Sequence, residues 1–191
     1  DLYRGLATAA RRFEVTIVGG ETARSPGPLF LSIALTGEVE RGRCVLRSGG
    51  KPGDALYVTG RLGGSRAGHH LDFIPRVVEA RWLTENFRLH AMMDLSDGLA
   101  SDLPRLARAS RCGFALDLPS IPRTRGCTLE QAMRDGEDYE LLLALPNRRG
   151  NELEAAWFRK FPNLNLTRIG RLADPSPTKP ALKTRGFDHF A

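Results

Sequence analysis

The residues with the clearest chemical potential are Met93-Asp94-Leu95-Ser96-Asp97-Gly98. Asp94 and Asp97 lie three apart, where an apolar strand gives way to a helical pattern. A hard cation such as Mg²⁺ takes carboxylate oxygens in an octahedron, with waters and phosphate oxygens completing the shell. A strand-to-helix turn can present such a pair beside backbone N–H groups that favour anions. Ser96 carries a hydroxyl that can donate to a phosphate oxygen, and Gly98 lets the backbone approach closely. The same residues also fit a helix cap, because Asp and Ser are preferred N-cap types. The two readings are compatible. Pro104 is expected in the first turn of the helix that follows, where a proline is tolerated.

Gly136-Glu137-Asp138-Tyr139-Glu140 is a second acidic group, just before a strongly apolar segment. Carboxylates at a strand entrance suit a cationic group or a metal; a solvated turn is the plainer alternative. In Gly19-Gly20-Glu21-Thr22-Ala23-Arg24, an arginine follows a glycine turn, and its planar fork of donors suits phosphate. The turn Gly60-Arg61-Leu62-Gly63-Gly64-Ser65 lacks the Lys-Ser/Thr of a P-loop and does not match the dinucleotide fingerprint. None of the four histidines lies in a nucleophilic-catalysis motif, and no serine sits in a G-x-S-x-G setting.

These groups need elements to hold them. Hydrophobic periodicity predicts helices over 2–12, 77–87, after the 91–95 strand through 109, over 129–133 and over 150–161, the last stopped by Pro162. It predicts strands over 15–18, 29–39, 55–59, 91–95, 114–118, 139–145 and 166–172, and a helix after the 60–65 turn. The fold class is therefore α+β, or α/β mixed. The turn-rich stretch 47–54 reads as a connector between domains. Asp1 opens directly on a helical pattern, which is expected of a chain cut from something longer.

The 191 residues suffice for one domain and part of another. The three cysteines show no C-x-x-C pair and no zinc spacing, so they read as buried small hydrophobes in a reducing cytoplasm. No apolar run has the length of a membrane span, and no signal-peptide pattern appears. The net charge of +6 favours anionic partners. The arginines are dispersed without aromatic interleaving, so phosphorylated small molecules are expected rather than nucleic acid.

In order and spacing, these segments resemble the thiamine-monophosphate kinase family. The resemblance runs through Val18-Gly19-Gly20-Glu21-Thr22-Ala23-Arg24, Arg47-Ser48-Gly49-Gly50-Lys51-Pro52-Gly53-Asp54 and Tyr57-Val58-Thr59-Gly60. It continues in Pro75-Arg76-Val77, Asp94-Leu95-Ser96-Asp97-Gly98-Leu99 and Gly136-Glu137-Asp138-Tyr139-Glu140-Leu141, then Ile169-Gly170 and Gly186-Phe187-Asp188-His189-Phe190. It implies a fold like that of aminoimidazole ribonucleotide synthetase. Residues 1–43 would be the end of the N-terminal ATP-binding domain, and 44–191 the C-terminal α/β domain. It implies transfer of the ATP γ-phosphate to thiamine monophosphate with Mg²⁺, and a homodimer built through the N-terminal domains. By position, Asp94 and Asp97 resemble magnesium ligands, Ser96 and Arg24 ATP contacts, and Glu137 and Phe187 contacts to the thiamine phosphate.

The departures are Glu21, where the family usually has Asp, and Arg134-Asp135, where Ser-Gly is common. The family's N-terminal half carries further metal-binding aspartates. Phosphoryl transfer depends on positioning and on neutralising charge, so the chain alone is expected to be inactive. The alternatives are another ATP-using enzyme of the superfamily, acting in selenophosphate synthesis, purine synthesis or hydrogenase maturation, and a non-catalytic fragment.

Overall fold

Two strands with no polar alternation must be covered on both faces, and that requirement organises the fold. The computed structural model describes residues 1–175. It divides into two units, the first of residues 1–38 and the second beginning at residue 39.

Within the second unit, β1 (Ala55–Thr59), β2 (Ala91–Asp94), β3 (Gly113–Leu116), β4 (Leu141–Leu145) and β5 (Leu166–Ala173) form one sheet in the order β2-β4-β1-β5-β3. Every neighbouring pair is antiparallel. Among the described residues, the α-helices of this unit are α2 (Val77–Asn86), α3 (Leu99–Ala109), α4 (Leu129–Arg134) and α5 (Gly150–Lys160). Strand side chains alternate between faces, so each central strand feeds two cores. Leu56, Val58, Leu142 and Ala144 pack with Leu99, Leu103 and Leu106 of α3 and with Ala132 and Met133 of α4. Tyr57, Leu141, Leu143 and Leu145 pack with Leu83 of α2 and with Leu153 and Trp157 of α5. Both faces are buried, which is why β1 and β4 read as unbroken apolar runs although they pair antiparallel.

The expected strand over 114–118 is Gly113–Leu116, and Leu118–Ser120 is a 3₁₀ turn. Pro119 has no N–H to continue a ladder. The strand expected from 139 begins at Leu141, because Glu137 and Tyr139 both have positive φ. Two 3₁₀ turns, Ser65–Ala67 and His69–Leu71, stand where a helix is expected after the 60–65 loop. Pro104 lies inside α3, beyond its first turn, so the helix forgoes the bond that an N–H there would make to the Ala100 carbonyl. The cysteines are less buried than expected: Cys44 is exposed, and Cys112 and Cys127 are half-buried.

In the first unit, α1 (Leu2–Arg12) matches the expected helix and carries Arg11 and Arg12 in its last turn, where positive charge suits the helix dipole. The strands expected over 15–18 and 29–39 are absent; both segments are irregular. A strand persists only when its N–H and C=O groups find a ladder. Among the described residues neither segment has one, and Val18, Leu29 and Phe30 are 95%, 81% and 81% exposed. No helix among the described residues is long and apolar enough to cross a membrane.

Candidate functional site

Antiparallel pairing gathers three sequence-distant loops at one end of the sheet. Asp94, the last residue of β2, pairs with Leu141, the first of β4. Val58 and Thr59 close β1 at that same end, with Val58 opposite Leu142. Residues 60–65, 95–98 and 135–140 therefore converge, although up to 80 positions separate them in sequence.

The two acidic loops are joined by main-chain bonds. The Glu137 N–H donates to the Ser96 carbonyl at 2.7 Å, the Tyr139 N–H to the Leu95 carbonyl at 2.9 Å, and the Leu95 N–H to the Glu140 carbonyl at 2.9 Å. Gly136 has φ 71°, and a Cβ there would lie 2.9 Å from the Ser96 oxygen. A side chain at 136 would push the loops apart, so Gly136→Ala is expected to cost about 1–3 kcal/mol. The urea-unfolding midpoint reads this directly; an unchanged midpoint would show that the loops are not tightly joined.

Side chains then separate by parity. Asp138 and Glu140 are 2% and 3% exposed, whereas Glu137 and Tyr139 are half-buried. The solvated-turn alternative therefore fails for Asp138 and Glu140. Asp138 Oδ1 accepts from the Gly63 N–H at 2.7 Å, and Asp135 Oδ2 from the Gly64 N–H at 3.0 Å. The glycine turn is thus held against the acidic loop by two carboxylates. Burial, followed by the charges of Asp135, Glu140 and Asp102, pushes the Asp138 carboxyl up to about 7 despite the Gly63 hydrogen bond. Glu140 accepts from the Thr59 hydroxyl at 2.6 Å and takes a bidentate pair from Arg76 at 2.7 and 2.5 Å.

The helix-cap alternative does not hold. Gly98 occupies the N-cap of α3, and no side chain caps it. Instead, buried Asp102 reaches back to accept the Asp97 N–H at 2.9 Å. Arg105 bridges the Asp97 carboxylate and Asp102, the latter at 2.8 Å. Burial is the main influence that raises the Asp102 carboxyl.

Asp94 is exposed at the strand end, and Ser96 and Asp97 are half-buried in the turn that follows. The Tyr139 hydroxyl feels the charges of Glu137, Asp94 and Asp97 together, which, after burial, raise its pKa. Four of the sequence-selected residues, Asp94, Ser96, Asp97 and Glu137, are thereby brought to one place. Arg24 belongs to the first unit, exposed in irregular chain. Phe187 lies outside the described residues. Among the described residues, no group of three or more His, Cys, Asp or Glu is arranged to hold a metal ion. Asp94 and Asp97 can offer the one or two carboxylates that Mg²⁺ takes alongside phosphate oxygens, Asp97 sharing its charge with Arg105.

Sequence reading gave no role to Arg76, Asp135 or the aromatic partner of Tyr139, Phe73, whose ring stacks on it at 4.2 Å, and it placed Asp138 in the acidic group without its bond to the glycine turn. The sequence carries no mark of the inward turn of Asp138 and Glu140, because β4 is buried on both faces and its alternation distinguishes neither.

This doubly covered antiparallel sheet with its acidic loops is of one known class: the sequence profile of the family described as "AIR synthase related protein, C-terminal domain" matches residues 70–177. A curated thiamine-monophosphate kinase from Rhodopirellula baltica is 37% identical over 183 residues, covering 90% of this chain and 56% of that protein. Another from Bacillus subtilis is 30% identical over 226 residues, covering 99% and 69%. The crystal structure of a thiamine monophosphate kinase from Aquifex aeolicus superposes with a TM-score of 0.69 at 26% identity, covering 91% of this chain and 64% of that one. A structure described as AaThiL complexed with AMPPCP and TMP gives 0.59 at 28% identity, covering 76% and 54%. The chain belongs to the thiamine-monophosphate kinase family, and it spans between about half and two thirds of the length of these relatives.

Proposed function

We propose that this chain is part of an enzyme that transfers the γ-phosphoryl group of ATP to thiamine monophosphate, giving thiamine diphosphate. The observation that carries this reading is the 2.7 Å bond from the Glu137 N–H to the Ser96 carbonyl. It makes the loop suited to metal and phosphate and the loop suited to the acceptor a single body. Family membership and the complex with AMPPCP and TMP support the choice of donor and acceptor.

In this reading Asp94 and Asp97 hold Mg²⁺, which when bound neutralises charge on the phosphates. Ser96 donates to an ATP phosphate oxygen, and Arg24 offers its planar fork of donors to the same nucleotide. Glu137 and Phe187 position thiamine monophosphate, the first by charge and the second by its aromatic face. The contribution of these side chains is placement and electrostatics, which is what phosphoryl transfer requires of a protein. We further read the protein as a cytoplasmic homodimer without a nucleic-acid or membrane partner.

The test is a phosphoryl-transfer assay with Mg-ATP and a panel of phosphorylated acceptors, run on the full-length protein. Thiamine diphosphate is the expected product. Asp94→Asn is expected to lower kcat/KM by about ten- to a hundredfold, the worth of one hydrogen-bonded charged contact. Turnover of a different acceptor, with none of thiamine monophosphate, would overturn the assignment.

A further inference from the structure

Tyr139 has no role in the mechanism above, yet the fold fixes it with unusual care. Its φ is 51°, and that of Glu137 is 50°. Non-glycine residues in this region carry strain and persist only where the surroundings over-determine them. Here the surroundings are the main-chain bonds from Glu137 and Tyr139 to Ser96 and Leu95. Their effect is to bury Asp138 and Glu140 and to leave Glu137 and Tyr139 on the other side of the chain, half-buried.

The ring is fixed as well as the backbone. Phe73 stacks on it with centroids 4.2 Å apart and planes 30° apart. The hydroxyl therefore sits at a defined point. At that point the nearby charges are carboxylates, Glu137, Asp94 and Asp97. Ionised carboxylates only accept hydrogen bonds, whereas the phenol O–H is a donor. Among the described residues it makes no hydrogen bond to the protein. A phosphate entering this neighbourhood meets three carboxylates, the Arg105 guanidinium held on Asp97, the Ser96 hydroxyl, and the pinned Tyr139 hydroxyl as a further donor.

We propose that Tyr139 is a substrate-binding residue whose hydroxyl donates a hydrogen bond to a phosphate oxygen of the phosphorylated acceptor, with Phe73 as the positioning residue that fixes its ring. This rests on the reading of thiamine monophosphate as the acceptor. It assigns to the loop a contact specific for the phosphate, distinct from the charge contact of Glu137.

The experiment compares wild type with Tyr139→Phe in the full-length protein. Calorimetry gives the affinity for thiamine monophosphate and for thiamine, which lacks the phosphate, and steady-state kinetics gives KM for ATP. Tyr139→Phe is expected to weaken thiamine monophosphate by about ten- to a hundredfold, the range for a hydrogen bond to a charged group. Thiamine affinity and KM for ATP stay unchanged. Phe73→Leu is expected to weaken thiamine monophosphate alone, and to do nothing further once the hydroxyl is gone. Unchanged affinity for thiamine monophosphate, or an equal loss for both ligands, would overturn the proposal, the latter by showing that the ring and not the hydroxyl matters. A wild type that binds thiamine monophosphate without phosphorylating it would sink the kinase reading but leave the Tyr139 comparison decisive. A wild type with no affinity for it would sink both.

Discussion

Arg76→Ala is expected to destabilise the protein by about 3–5 kcal/mol, because it leaves a buried carboxylate without its counter-charge. The Glu140 side chain is 4% exposed and that of Arg76 17%. The guanidinium meets the carboxylate through two bonds, at 2.7 and 2.5 Å. Thr59 supplies a third at 2.6 Å, and its hydroxyl accepts the Leu141 N–H at 2.8 Å. Gly60 leaves the room this needs: a Cβ there would lie 1.9 Å from Glu140 Oε1. The pair thus ties the end of β1, the start of β4 and the N-terminus of α2 into one cluster. Chemical denaturation of the single variants and of Arg76→Met with Glu140→Gln separates the causes. The double variant removes both charges and is expected to recover much of the loss. A loss below about 1 kcal/mol in Arg76→Ala would place the pair with exposed ion pairs, whose worth is that small.

The second large effect is a pH dependence. Asp138 has its carboxyl raised from the ordinary value of 3.8 to about 7 by burial, with Asp135, Glu140 and Asp102 adding to the shift. Of these neighbours, Glu140 is paired with Arg76 and Asp102 with Arg105. Asp138 Oδ2 is buried and has no hydrogen-bond partner among the described residues. The folded state therefore favours the protonated acid more than the unfolded chain does. Its contribution is fully present below about pH 4 and is lost as pH rises through about 7. The full span corresponds to about 4 kcal/mol. Asp138→Asn keeps an acceptor for the Gly63 N–H and cannot ionise. The difference in unfolding free energy between the two proteins is expected to move in favour of the variant from pH 4 to 8. A pH-independent difference would mean that Asp138 titrates as an ordinary carboxylate.

Four of the candidate site residues could be selected without coordinates because each reaction leaves a local mark. Asp94, Ser96 and Asp97 combine oxygen-bearing side chains with a strand-to-helix turn, and Glu137 stands at a strand entrance. The secondary structure of the second unit was legible for a similar reason. Helical spacing in residues 77–86, 99–109 and 150–160 and unbroken apolar runs at 55–59 and 141–145 are local properties of the chain. The strands expected over 15–18 and 29–39 were not formed, since β-propensity creates no ladder by itself. The expected cap is not formed because Gly98, which has no side chain, takes the N-cap position of α3, and Asp102 reaches back to the Asp97 N–H outside the helix.

The sequence by itself determined which residue types could hold metal and phosphate, and which stretches would be helix or buried strand, because both follow from neighbours along the chain. Only the tertiary structure decided that Gly63 and Gly64 answer to Asp138 and Asp135, that Arg76 neutralises Glu140, and that Phe73 fixes Tyr139. The physical reason is antiparallel register. Pairing Asp94 with Leu141 and Val58 with Leu142 brings the ends of three strands together across many tens of residues. The main-chain bonds from Glu137 and Tyr139 to Ser96 and Leu95 then turn Asp138 and Glu140 inward.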